Sequence, residues 1–171
     1  MKKSVTYKFT LCAILSALAT IAFIIESLFP PLFLPGARMG VSNIFILLCL
    51  VVLGYKYAFI TLSVKVLLGS LLSGNFFAVV YALPAGLVSL ALETLLFYLI
   101  KGISIVSISV AGAVINITVQ NLVFCLVTKT TEYLTYLPYL SLIAILGGVV
   151  VGLSVNFITK IVPEKLFSGL E

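Results

Sequence analysis

Long apolar runs, broken by short clusters of proline, glycine, serine and lysine, set the rhythm of this chain. A run of about 20 mostly apolar residues crosses the hydrocarbon core of a bilayer as one helix. The candidate runs are residues 9–28, 41–53, 57–72, 76–100, 103–127 and 137–161. The second is short and follows a loop. The breaks fall at Pro30-Pro31 with Pro35-Gly36, at Gly54, at Ser73-Gly74-Asn75, at Lys101-Gly102 and across residues 128–135. All are loop punctuation. The pattern predicts an all-α fold, a six-helix membrane bundle forming a single domain over residues 1–171.

Composition agrees with the pattern. Of 171 residues, 63% are hydrophobic and only 9% charged, against about 45–50% and about 25% in soluble domains. A single core of this size cannot hide that excess, and the mean hydropathy is +1.34. The chain has no His and no Asp; its acids are Glu26, Glu93, Glu132, Glu164 and Glu171. A Ser-His-Asp triad, histidine metal sites and the Asp-rich motifs that hold magnesium on diphosphate are therefore excluded. The expectation is a protein that is not an enzyme, with no catalytic residues, no metal and no cofactor. Cys12, Cys49 and Cys125 each sit inside an apolar run and read as small buried hydrophobes.

The net charge of +5 does not point to nucleic acid, because the cations lie mostly between apolar runs, as topology signals do. Six spans put both termini on one side. Lys2, Lys3, Lys8, Lys56, Lys101, Lys160 and Lys165 fall on that side, and Arg38 and Lys129 on the other. The positive-inside rule makes both termini cytoplasmic in a multi-pass protein of the cell membrane. A cleaved signal peptide is the alternative for the first run, but its apolar stretch continues to Ile25, longer than a signal core. The chain is about half the size of a transporter built from two repeats, and it has no phosphate-binding loop. Any energy input must come from partners.

Polar groups inside such runs cost free energy, and each calls for a partner, water or a function. Near the outer face, Glu26 closes the first span, Arg38 lies in the hydrophobic loop 32–40, and Asn43 opens the second helix. Asn116 and Gln120 share a face of the fifth span, four residues apart, at depths of about 20 and 25 Å from the cytoplasmic boundary. Asn121 is adjacent. These groups could line an outward-facing pocket, or the amides could bond between helices. Arg38 suits either an anionic ligand group or Glu26. In the inner half, Lys65 and Glu93 lie at matching depths of about 12 and 10 Å. They read as an ion pair, with a proton or ion relay as the functional alternative, and Lys65 could also reach up into the pocket. Phe76, Phe77 and Tyr81 offer stacking at its mouth, or face lipid. Pro84 and Gly86 interrupt the fourth span. Ala13 with Ala17, and Gly148 with Gly152, have the small-xxx-small spacing that lets helices approach closely.

The segment Pro35-Gly36-Ala37-Arg38-Met39-Gly40-Val41-Ser42-Asn43 resembles a motif of the Gx transporter family, also described as heptaprenyl diphosphate synthase component I. Lys65 with residues 68–74, residues 85–89, and residues 112–120 resemble its further blocks. The chain departs from the family at Ile115, where a histidine is frequent. The family is similar to the S components of energy-coupling-factor (ECF) vitamin transporters, six-helix proteins that bind a nutrient near the outer face. The resemblance implies docking through Ala13 and Ala17 on a membrane coupling protein that works with two ATPases. It also implies gating by the first loop, residues 32–38, and delivery by toppling of the subunit.

The expected function is thus a substrate-binding membrane subunit for small-molecule uptake. Its site residues are Arg38, Asn43, Asn116 and Gln120, then Glu26, Lys65 and Asn121. Membrane lipid and the coupling module are its partners, and nucleic acid is not. The rival is a non-catalytic scaffold or lipid-handling subunit in isoprenoid, quinone or flavin-linked electron-transfer metabolism. A synthase acting alone conflicts with the absence of Asp and of paired carboxylates.

Overall fold

A computed structural model describes residues 5–28 and 40–161. Within them the chain forms α1 (Val5–Leu28), α2 (Asn43–Leu53), α3 (Tyr55–Leu72), α4 (Phe77–Leu99), α5 (Ile105–Thr128) and α6 (Leu137–Ile161), with a 3₁₀ turn at Glu132–Tyr136 before the last helix. No strand occurs among the described residues. Helix α1 begins four residues before the apolar run does, because Val5-Thr6-Tyr7-Lys8 contains no helix breaker. The break between α2 and α3 is one residue, Gly54, whose φ of 92° lets the chain reverse where another side chain would be strained. Ser104 caps α5 by accepting a hydrogen bond from the Ser107 N–H at 3.1 Å. Pro84 does not break α4, which runs continuously through it. Its missing N–H removes one ladder bond, and the surrounding packing holds the helix together.

Helix α3 packs on α1, α2 and α4; α5 packs on α4 and α6; and α2 also meets α6, so the bundle closes on itself. The α5–α6 seam is the tightest. A Cβ at Gly148 would lie 2.8 Å from Val110 Cα, and one at Gly152 would lie 2.6 Å from Val106 Cα. Only hydrogen fits there, so the expected close approach is met by α5 backbone.

Two kinds of surface result. Inside, Leu47, Cys49 and Leu50 of α2 are fully buried against α1 and α3. Outside, Phe9, Ile14, Leu67, Leu126, Leu146 and Phe157 are exposed. An apolar exterior over helices with internally satisfied backbones is the form a bilayer selects. Five helices are long and apolar enough to cross a membrane, the last one taken together with its 3₁₀ turn. Helix α2, with 11 residues, spans only about 16 Å and is the most enclosed.

Candidate functional site

Between the helices lies a cavity of about 90 Å³, large enough for several waters or a small ligand. Every helix contributes to its wall. Phe23 and Glu26 come from α1, Asn43 from the start of α2, Lys65 from α3, Glu93 from α4, and Ser109, Asn116 and Gln120 from α5. Helix α6 supplies an apolar wall that includes Ile143 and Gly147. The outer and inner polar sets, separate when judged by depth along the sequence, thus share one chamber.

Each group has a local cause for its position. Glu26, in the last turn of α1, accepts hydrogen bonds from the Val41 N–H and from Ser42 Oγ (3.0 Å). It anchors the entry to α2, where a negative charge meets the positive end of the helix. Lys65 is 5% exposed; its ammonium donates to Asn43 Oδ1 at 2.7 Å and lies 5.9 Å from the Phe23 ring centroid. Cation, amide and aromatic face form one unit across α1, α2 and α3.

Glu93 is 8% exposed and takes no hydrogen bond from any described residue. The Lys65 ammonium is near enough to attract it electrostatically but bonds Asn43. The expected Lys65–Glu93 pairing is thus an attraction through space, with both groups facing one cavity. Glu93 occupies a notch in α5: a Cβ at Gly112 would fall 2.0 Å from its Oε1. Ser89, one turn earlier on α4, donates to the Gly112 carbonyl at 2.9 Å and locks the two helices at that notch.

Asn116 and Gln120 line the cavity, and neither side chain bonds a described residue. Asn121 points elsewhere. Its amide donates to the Tyr133 carbonyl at 3.4 Å and accepts from Cys125 Sγ at 3.4 Å, fastening the 3₁₀ turn to α5. It lines a second, smaller cavity of about 70 Å³ together with Tyr81, Phe124 and Tyr133. Ile117, Gln120 and Leu140 border both cavities, so the two adjoin. Phe77, Tyr81, Phe124 and Tyr133 meet edge to face, with centroids 5.0–6.4 Å apart. Tyr81 and Phe77 therefore pack within an aromatic cluster, while Phe76 is 62% exposed.

Of the residues expected in the site, Glu26, Asn43, Lys65, Asn116 and Gln120 come together; Asn121 sits in the neighbouring recess; Arg38 and the rest of residues 29–39 lie outside the described residues. Ala13 and Ala17 are both exposed on one face of α1. The sequence reading missed Ser109, Glu93 as a wall residue, and the ring partners Phe124 and Tyr133. Helical spacing held the signal for two of these: Ser109 lies seven residues before Asn116, and Phe124 four after Gln120.

Fold and site together define a polytopic membrane protein, a helical bundle built around a chamber with polar groups in its wall. The chain belongs to the family described as heptaprenyl diphosphate synthase component I, whose model matches residues 15–158. That span covers all six helices in whole or in large part and agrees with the resemblance carried by the segment around Arg38. No curated protein and no solved structure matches the chain.

Proposed function

We propose that this protein is the substrate-binding membrane subunit, an S component, of an ECF-type ATP-driven uptake system for a vitamin-like small molecule. One observation carries the reading: Asn116 and Gln120 line a cavity between the helices and bond no described residue. Structural amides in a bilayer bond neighbouring helices; these are held open to a ligand.

In this reading α2 counts as a sixth crossing, both termini are cytoplasmic, and the chamber opens outward in the cell membrane. The protein is not an enzyme. Ala13 and Ala17 form part of an exposed face of α1 suited to a coupling protein, which in turn engages two ATPases.

The family description favours a second reading, an accessory subunit in isoprenoid or quinone metabolism. The chain has no Asp, so its part there would be to hold protein or lipid rather than to transfer a prenyl group. Native mass spectrometry of the gently purified protein, with identification of what it releases, separates the two. The uptake reading expects a stoichiometric polar metabolite. A bound isoprenoid, or a persistent partner that is not an ATPase module, would favour the accessory role.

A further inference from the structure

The cavity wall is chemically uneven. Along α5, Ser109, Asn116 and Gln120 form a polar stripe on one face, about 16 Å from end to end. Gly112 leaves a gap in that stripe, and the Glu93 carboxylate fills it from α4. At the other end, Gln120 borders the aromatic recess of Tyr81, Phe124 and Tyr133. Among the described residues, the ionisable groups of the chamber are Glu26 from α1, Lys65 from α3 and Glu93 from α4; α2, α5 and α6 add none.

Two of those three are committed to the protein. Glu26 holds the start of α2, and Lys65 donates to Asn43. Glu93 is more than nine-tenths buried, faces the cavity, and takes no hydrogen bond from a described residue. The Lys65 ammonium attracts Glu93 through space, yet a desolvated carboxylate still gains from donors of its own, and charge-assisted N–H bonds are the strongest compensation available.

Resting on the uptake reading, we infer that Glu93 receives a positively charged N–H group, an ammonium or amidinium, at one end of a small ligand whose planar part extends along Asn116 toward Gln120 and the aromatic recess. The substrate class is then a cationic nitrogen compound with an aromatic or heteroaromatic body. The Gly112 gap and the Ser89 bond to its carbonyl fix where the carboxylate stands, which makes the subsite a built one.

A shape-matched series tests this without needing the natural substrate: benzamidine, benzamide and benzoate, titrated against the full chain in nanodiscs by ligand-observed NMR. Benzamidine should bind at least about tenfold tighter than benzoate, and Glu93→Gln should abolish that preference while leaving the melting temperature close to wild type. The wild-type comparison stands even if the variant fails to fold. Equal or tighter binding of benzoate, no binding of benzamidine, or a preference that survives Glu93→Gln would overturn the inference. Failure here is distinguishable from failure of the uptake reading: a stoichiometric polar metabolite that is retained by wild type and lost in Asn116→Ala would leave the uptake reading in place with a different substrate class.

Discussion

The seam between α1, α2 and α3 and the chamber between α1 and α5 both bury polar atoms, yet they treat them in opposite ways. In the seam, Ser16 donates to the Cys12 carbonyl at 2.8 Å, its oxygen lies 3.2 Å from Thr61 Oγ1, and Thr61 donates to Cys49 Sγ at 3.4 Å. Cys12 Sγ reaches the Tyr57 carbonyl at 3.7 Å. Ser16, Thr61, Cys12 and Cys49 all have partners there, and leucines fill the space around them. In the chamber, the Asn116 and Gln120 amides and the Glu93 carboxylate are desolvated or half-buried and bond no described residue. Polarity alone does not mark a site inside a bilayer. The mark is a set of polar groups left unused by the protein's own packing and turned toward one cavity; the buried Ser70 hydroxyl, which also bonds no described residue, lines neither cavity and carries no such mark.

Substitutions can break or sharpen this contrast. The largest effect should come from closing the helix seam that shapes the chamber. Gly152→Leu drives a side chain into Val106 backbone and should cost at least about 1–3 kcal/mol, read as a lower melting temperature together with loss of bound ligand. Next is Gly112→Ala, whose methyl would take the place of the Glu93 carboxylate. It should weaken ligand binding by about tenfold or more, with a smaller change in thermal stability, checked by titration and by melting in the same nanodiscs. Asn116→Ala should weaken binding by about tenfold and leave the melting temperature nearly unchanged. The smallest effect belongs to the seam. Thr61→Val should cost about 0.6–1.7 kcal/mol of stability and leave ligand affinity at the wild-type value.

Most of the helices were legible from the apolar runs, and α6 matches its run from Leu137 to Ile161. The missed details have physical causes. Hydropathy cannot see that α1 continues into Thr6, Tyr7 and Lys8, because helix propensity and not transfer free energy extends that end. It cannot see that Pro84 is carried within a continuous helix. For the site, Asn116 and Gln120 were legible from their four-residue spacing, and Lys65 from its unusual place in a span. Depth along single helices nonetheless separated Lys65 and Glu93 from the amides. Only the lateral packing of α3, α4 and α5 brings them into one chamber, and lateral packing leaves no periodic trace in one sequence. Asn121 differs from its neighbour Gln120 by one helical step of about 100°, enough to turn it from the main cavity to the recess under Tyr133.

The most direct test of the central claim compares Asn116→Ala with Thr61→Val by native mass spectrometry, each purified as the wild type is. The account predicts a stoichiometric polar adduct on wild type and on Thr61→Val, and its loss from Asn116→Ala while that protein remains folded. Equal retention by both variants, or loss from both, would contradict the division between polar groups that hold the bundle and polar groups that hold a ligand.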